Sequence, residues 1–155
     1  MHSPTRGSEA GPLLSPGFWL LQAALAWRAE LDARLGPLRL TPTQFTMLAT
    51  IGWLEHRGDK PTQQAVADHA GADRMMTSKV VRTLEGQGFI TRNPDDSDAR
   101  VMRLHLTQSG REVTRQATEL ARDVDAHLFG GDASRMRPVL RRIAEHRTPR
   151  HEARP

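Results

Sequence analysis

Cysteine is absent from this chain of 155 residues. Disulfide bonds, thiolate metal sites and thiol-based redox sensing all depend on cysteine, so the sequence excludes them. The seven histidines are scattered, and none stands four residues from another histidine. The spacing of a histidine and glutamate metal motif is therefore missing as well. We expect neither a metal site nor a cofactor.

Long apolar runs are also missing. The apolar run near the start, residues 18–21, is broken by Gln22, and the next one ends before Arg28, whereas a membrane-spanning helix needs about 20 apolar residues. No basic segment precedes a secretory hydrophobic stretch. We therefore expect a cytoplasmic protein without a membrane partner.

The sequence lacks the motifs of an enzyme. It has no glycine-rich phosphate loop, no nucleophile elbow and no clear pair of catalytic carboxylates. Its length is that of one ordinary domain with a core of its own. We expect a single domain that has no catalytic residues and is not an enzyme.

The net charge of +4 at pH 7 suggests a polyanionic partner, but its distribution weakens that argument. Residues 60–103 carry seven Lys or Arg against six Asp or Glu, whereas residues 135–155 carry seven arginines against two glutamates. An arginine-rich end is as often solvated as bound to phosphate. The basic tail, residues 148–155, is therefore left without a role, and evidence for a polyanionic partner must come from the placement of individual cations.

The N-terminal segment predicts a helix for self-association. Residues 1–12 are rich in Ser, Gly and Pro and are expected to be disordered. Within residues 13–37, Ser15 as N-cap and Pro16 at the first helical position predict a helix that runs to about Arg34. Apolar side chains lie all around this helix, which favours a dimer interface; packing on the protein's own core is the alternative.

The central segment, residues 38–110, predicts a helix-turn-helix followed by a hairpin. Thr41 and Thr62 are predicted to cap two helices, and Gly71 separates the second from a third helix at about residues 73–87. At about 100° per residue, one face of this third helix is apolar and should face the core: Thr77, Val80, Val81 and Leu84. The opposite face has no carboxylate: Met75, Ser78, Lys79 and Arg82, flanked by Arg74 and Met76. Such a face suits the phosphate-lined major groove, and a plain solvated surface is the alternative.

The hairpin follows the third helix. An extended segment at residues 89–92 and a second one that ends before Thr107 flank an acidic turn. Arg100 lies near the tip, from where an arginine can enter a DNA minor groove. Asp98 could hold the Arg100 guanidinium in a bidentate pair. The alternative is an ordinary surface ion pair in a turn.

The other polar residues of this segment complete the predicted DNA-binding site. Thr62 and Arg92 are candidate phosphate contacts. The acids of the turn would repel DNA unless nearby arginines, including Arg103, compensate them. The candidate DNA-binding residues are Thr62, Arg74, Met75, Met76, Ser78, Lys79, Arg82, Arg92, Asp98, Arg100 and Arg103.

The C-terminal segment, residues 111–147, predicts further dimerisation helices. A helix capped by Thr107 should continue to about Phe129, with apolar residues in heptad-like steps that suit packing along another helix. Two glycines, at positions 130 and 131, should end it. Asp132 is the predicted cap of a last helix, which could restart at Pro138.

With these residues in place, the chain resembles the MarR family of bacterial transcriptional regulators over about residues 40–110. The resemblance is carried by L-T-P-T-Q-F at 40–45, A-V-A at 65–67, D-R-M-M-T-S-K-V-V-R-T-L-E at 73–85, G-F-I-T-R at 88–92, D-A-R at 98–100 and L-T-Q-S-G at 106–110. It implies a homodimer built from the terminal helices, two winged helices in successive major grooves of a pseudo-palindromic operator, and Arg100 in the minor groove. Met75 and Met76 stand where the family often has small hydroxyl residues, which changes the bases that can be read.

The resemblance also implies an effector, since family members commonly respond to a small, often aromatic or phenolic ligand between the dimer helices and the DNA-binding lobe. Candidate pocket residues are Trp27, Phe45, Trp53 and His56, although aromatic residues on helices more often belong to the core.

The expected fold is mainly α, a winged helix-turn-helix with a two-stranded β-wing and flanking N- and C-terminal dimerisation helices. The expected function is sequence-specific regulation of transcription on double-stranded DNA, as a repressor. The alternative is a winged-helix module for protein–protein assembly that has no operator.

Overall fold

The computed structural model describes residues 11–146. The predicted disordered N-terminus lies outside this range except for Gly11 and Pro12, and the basic tail lies wholly outside it. The helices and strands are α1 Pro16–Leu35, α2 Pro42–His56, α3 Gln63–Ala70, α4 Arg74–Gly86, β1 Ile90–Pro94, β2 Met102–Leu106, α5 Gln108–Phe129 and α6 Ala133–Glu145. This mainly helical chain with one two-stranded antiparallel sheet confirms the predicted fold class.

Side-chain caps explain where helices α1 to α5 begin. Ser15, Thr41, Thr62, Asp73 and Thr107 each accept a hydrogen bond from the backbone N–H three residues ahead, at 2.8–3.3 Å. Each cap satisfies an N–H group that the first helical turn leaves unpaired. At the other end of α3, Gly71 takes the left-handed conformation (φ 65°), as its place at the predicted turn requires.

The start of α6 differs from the prediction. Asp132 has helical backbone angles and its side chain caps nothing, because the 3₁₀ turn Gly130–Asp132 already leads the chain into the helix. The helix also continues through Pro138 without restarting there. The predicted cap and the predicted restart are therefore both wrong.

The core lies beneath the helix-turn-helix and along the inner side of α1 and α5. Leu35 of α1, Ile51 of α2, Leu84 of α4, Leu104 of β2 and Val124 of α5 are all fully buried in it. These residues come from five elements, so one continuous core joins the terminal helices to the central lobe.

The N-terminal and C-terminal helices carry apolar side chains that the single chain does not cover. Trp19, Leu21 and Leu25 of α1 are more than half exposed. In α6 no residue is buried, although Val139 and Ile143 are apolar. None of the helices in the described part of the chain combines the length and apolar character that crossing a membrane requires.

The hairpin pairs β1 with β2 in the register Ile90↔Leu106 to Pro94↔Met102. The segment before α3 pairs with strand β2 of the hairpin. The Leu104 N–H donates to the Pro61 carbonyl at 2.8 Å, and Thr62 forms a β-bridge with Arg103. The wing is thus joined through its backbone to the start of the helix-turn-helix.

Candidate nucleic-acid interface

Helix α4 presents two different faces, as its sequence predicts. Thr77, Val81 and Leu84 are buried, and the Thr77 hydroxyl is satisfied by donating to the Asp73 carbonyl at 2.7 Å. Val80, the fourth predicted core residue, is only half-buried. Thr77, Val81 and Leu84 therefore anchor the helix in the core.

The outer face of α4 is open to solvent. Met75 is 85% exposed and Met76 is 43% exposed, which is unusual for such large apolar side chains. Lys79 and Arg82 are exposed beside them, and Ser78 is half-buried. This outer face of α4 (Met75, Met76, Ser78, Lys79 and Arg82) combines cations with apolar groups and includes no acid.

Three of the exposed cations that have no carboxylate partner among residues 11–146 lie on α4 and the wing. These are Lys79 and Arg82 on α4 and Arg100 at the tip of the wing. Arg82 Nε donates to the Ser78 carbonyl of its own helix, at 3.3 Å. A phosphate can contact such cations without first displacing an internal carboxylate.

Arg74, at the start of α4, is held by a residue that the sequence did not single out. Its Nε donates to Gln64 Oε1 on α3 at 2.6 Å, and Gln64 Nε2 donates to Asp68 Oδ1 at 2.8 Å. Gln64 and Arg74 are ten residues apart on different helices, so no helical spacing could have linked them. Gln64 thereby fixes the direction of a cation at the edge of the outer face.

Arg92 is engaged within the protein. Its Nε and Nη2 both donate to Glu85 Oε2, at 2.9 and 2.6 Å, because β1 runs back along the end of α4. These hydrogen bonds lower the pKa of Glu85 and raise the pKa of Arg92. The structure thus places this predicted phosphate contact in an internal ion pair.

Arg103 is also engaged within the protein. Its Nε donates to Asp95 Oδ1 and its Nη1 donates to the Lys60 carbonyl, both at 2.7 Å. Hydrogen bonds from Ser97 and then from Arg103 hold the pKa of Asp95 well below its usual range. Arg103 therefore compensates the charge of the wing acid Asp95, as the sequence suggested. Because it does so, Arg103 is not a free cation.

The contact between Asp98 and Arg100 differs from the expected one. Asp98 Oδ1 accepts a hydrogen bond from the backbone N–H of Arg100 at 3.0 Å. No ion pair joins Asp98 to the Arg100 guanidinium in the part of the chain that the structure describes. A carboxylate two residues before a backbone N–H closes a local turn at little cost, and this arrangement leaves the guanidinium free.

Thr62, the remaining predicted DNA contact, serves as a cap. Its hydroxyl oxygen accepts from the Ala65 N–H at 3.1 Å, and its side chain is half-buried. The predicted site thus divides in two. Arg74, Lys79, Arg82 and Arg100 keep exposed side chains, whereas Thr62, Arg92, Asp98 and Arg103 contribute to the local structure.

A shallow groove of about 430 Å³ lies between α2 and α3. It is lined by Phe45, Thr46, Ala49, Thr50, Trp53 and His69. Phe45 and Trp53 were predicted pocket residues, and the structure brings them together. The Trp53 ring lies 5.5 Å from the His69 ring, and the Arg57 guanidinium lies 4.7 Å from the Trp53 ring.

The other two predicted pocket residues lie outside this groove. The Trp27 Nε1–H donates to Asp125 Oδ1 at 2.8 Å, so Trp27 joins α1 to α5. His56 lies exposed at the end of α2 and is not part of the lining. His69 of α3 supplies the imidazole instead. No group of three or more His, Asp or Glu side chains within residues 11–146 is placed to hold a metal ion.

Comparison with known proteins decides the family. The sequence model of the MarR family matches residues 40–102. The uncharacterised helix-turn-helix-type transcriptional regulator YdcH of Bacillus subtilis is 36% identical over 120 residues, which make up 77% of this chain and 82% of that protein. The chain belongs to the MarR family.

Solved structures of MarR-family regulators share this fold. CouR from Rhodococcus jostii RHA1 bound to p-coumaroyl-CoA superposes with a TM-score of 0.78 at 23% identity, over 92% of this chain and 99% of that one. CouR bound to a 23-mer DNA duplex gives a TM-score of 0.75 at 28% identity, over 89% and 99%. In this MarR-family regulator, α3, α4 and the β1–β2 hairpin form the winged helix-turn-helix of a DNA-binding protein.

Proposed function

We propose that this protein is a homodimeric repressor that binds a pseudo-palindromic operator in double-stranded DNA. The observation that carries this proposal is the largely exposed outer face of α4, which includes no acid and contains two cations that no carboxylate of residues 11–146 pairs with. Lys79 and Arg82 can donate to phosphates or guanine edges, and Met75 and Met76 can contact thymine methyl groups. Arg100 would follow the minor groove beside each half-site.

The uncovered apolar side chains of α1 and α6 support the homodimer. A second copy of the chain would bury them in a symmetric interface, and the two α4 helices would then face the same side of the duplex. Two-fold symmetry in the protein requires an inverted repeat in the DNA, with half-site centres about one helical turn apart. A transcriptional repressor of the same fold, CouR, has a solved structure bound to a 23-mer DNA duplex, which favours repression here.

The test begins with selection of random duplexes at near-physiological salt. Enrichment of an inverted repeat is the expected result. Binding without an enriched sequence would contradict the operator, and absence of binding would favour a protein–protein assembly module. The selected duplex then serves every measurement on variants.

Lys79→Ala should weaken binding to the selected duplex and flatten its salt dependence. Each lost phosphate contact lowers the slope of log affinity against log salt concentration by about one. The control is Arg115→Ala, which removes the same charge from α5, where Arg115 pairs with Glu112 and Glu119. Fluorescence anisotropy at several salt concentrations measures both slopes. An unchanged slope for Lys79→Ala would place Lys79 away from the phosphates.

We also propose that the groove between α2 and α3 holds a small aromatic effector. Phe45 and Trp53 offer ring faces, the Thr46 and Thr50 oxygens can accept hydrogen bonds, and Arg57 and His69 lie against Trp53. Such a lining suits a planar ring with an acidic or phenolic substituent. CouR has been crystallised with p-coumaroyl-CoA, which supports an aromatic effector class.

Binding of such a compound should quench the fluorescence of Trp53. A series of substituted benzoates and phenols would be titrated into the wild-type protein, Trp53→Phe and Trp19→Phe. Quenching should saturate in the wild type and in Trp19→Phe, since Trp19 lies on α1 outside the groove. It should be lost in Trp53→Phe. Quenching that survives in Trp53→Phe would place the effector elsewhere.

A further inference from the structure

We propose that Asp95 and Arg103 position the wing, so that Arg103 acts on DNA through Arg100 and does not contact DNA itself. The inference rests on the proposed function, in which Arg100 enters a groove of the operator. Asp95 and Arg103 thereby receive a positioning role, whereas the sequence alone shows them only as an acid and a cation of the wing.

Arg103 joins two parts of the fold. One side of its guanidinium donates to Asp95 beyond the end of β1, and another donates to the Lys60 carbonyl ahead of α3, both at 2.7 Å. The backbone adds the Leu104–Pro61 hydrogen bond at 2.8 Å beside it. Only 26% of the Arg103 side chain is exposed. These contacts fix the direction of the guanidinium, and moving it toward a phosphate would break the contacts that hold the wing to the helix-turn-helix.

Asp95 links Arg103 to the turn that contains Arg100. Its side chain is 7% exposed and accepts from Arg103, from the Ser97 hydroxyl and from the Ser97 N–H. Its backbone N–H donates to the Val101 carbonyl at 2.8 Å, which closes the turn that carries Arg100. Asp95 thus holds both ends of the turn at the base of the wing.

The remaining contacts of the turn are either local to the turn or exposed. Within the turn, Asp98 Oδ1 accepts from the Arg100 N–H at 3.0 Å and the Asp98 carbonyl accepts from the Val101 N–H at 2.9 Å. Lys60 lies 3.8 Å from an almost fully exposed Asp96. Exposed pairs of this kind contribute little to stability. The direction of Arg100 therefore depends mainly on the Asp95–Arg103 pair.

Asp95→Asn gives the sharpest test, because the two explanations predict opposite signs. Removing a negative charge beside DNA should tighten binding if only the net charge matters. Loss of the wing position should weaken binding, toward the roughly 5- to 150-fold loss expected for Arg100→Ala. The combination Asp95→Asn with Arg100→Ala should bind no more weakly than Arg100→Ala alone, because both act through one contact.

Arg103→Lys is the matched variant for the other partner. Lysine keeps the charge but cannot donate in two fixed directions from one planar group. Affinity should therefore fall in Arg103→Lys, whereas a simple phosphate contact would largely survive. Circular dichroism melting checks that each variant is folded, and Ser97→Ala offers a milder change to the same Asp95 cluster.

A readout of base preference separates positioning from a general loss of structure. Arginine in the minor groove favours narrow A·T-rich DNA. Exchanging the A·T pairs beside each selected half-site for G·C pairs should weaken binding of the wild type but not further weaken Asp95→Asn. Equal or tighter binding by Asp95→Asn, or additive effects with Arg100→Ala, would overturn the inference. If Arg100→Ala alone binds normally, the proposed wing contact itself fails.

Discussion

Gly110→Ala should lower the free energy of unfolding by about 3 kcal/mol or more, or prevent folding. A Cβ atom at position 110 would lie 1.9 Å from the Phe89 carbonyl oxygen and 2.9 Å from the Phe89 carbonyl carbon. Both are backbone atoms, so no side-chain rotation can relieve the overlap. Small domains have only about 5–15 kcal/mol of stability in total, and the substitution removes a large part of it.

The Phe89 backbone cannot retreat easily, because the start of α5 is tied to it. The Thr107 N–H donates to the Phe89 carbonyl at 3.0 Å, and the Thr107 and Ser109 hydroxyls donate to the Gly88 carbonyl at 2.7 and 3.0 Å. These bonds draw α5 against the entry to the wing. Only glycine at position 110 allows the two backbones to come this close.

Gly86→Ala is the matched control. Gly86 is the last residue of α4, has ordinary backbone angles, and an added Cβ would meet no atom within 4 Å. Alanine there should leave stability unchanged or raise it by up to about 1 kcal/mol. Urea denaturation followed by circular dichroism compares the two variants. A Gly110→Ala protein with the wild-type midpoint would show that α5 and Phe89 are not in close backbone contact.

Local sequence patterns predicted the elements of this fold because their causes are local. A cap needs only a hydroxyl or carboxylate three residues before an N–H group, and four of the five predicted caps are present: Ser15, Thr41, Thr62 and Thr107. The inner and outer faces of α4 follow from helical spacing alone, which is why Thr77, Val81 and Leu84 were assigned correctly.

The candidate site could be predicted only in part, because tertiary structure determines which groups the cations contact. Arg103 donates to a carbonyl 43 residues away, and Trp27 donates to a carboxylate 98 residues away. No spacing rule reaches across such separations. Likewise His56 lies three residues after Trp53 on the same helix, yet the histidine beside Trp53 is His69 of another helix.

This division between paired and free cations has a functional meaning. Arg92 and Arg103 donate hydrogen bonds within the protein and so stabilise the wing, whereas Lys79, Arg82 and Arg100 pair with no carboxylate in the part of the chain that the structure describes. Sequence composition counts all of them equally. The structure therefore limits the cations on α4 and the wing that are expected to contact phosphate to a few positions. The salt dependence of DNA binding by single variants can count these contacts.

Replacing both Leu21 and Leu25 with glutamate should abolish the proposed dimer and weaken operator binding by about 10²- to 10⁴-fold. These side chains are 58% and 54% exposed in the single chain, so the change costs the monomer little. In a dimer, each protomer would bring two charges into an apolar interface, where unpaired charges are strongly unfavourable. A monomer would then bind through one half-site, without the gain in affinity that simultaneous binding to both half-sites provides.

Ala26→Glu with Ala33→Glu is the matched control, because it adds the same charges to exposed positions on a different face of α1. Sedimentation equilibrium gives the oligomeric state of each variant, and titration of the selected duplex gives its affinity. If the leucine variant remains dimeric, the interface does not include this stripe of α1. If it becomes monomeric but binds the inverted repeat with wild-type affinity, each winged helix recognises its half-site independently. Weak binding by a folded monomer, with normal binding by the control, is the result that links the apolar face of α1 to the symmetry of the operator.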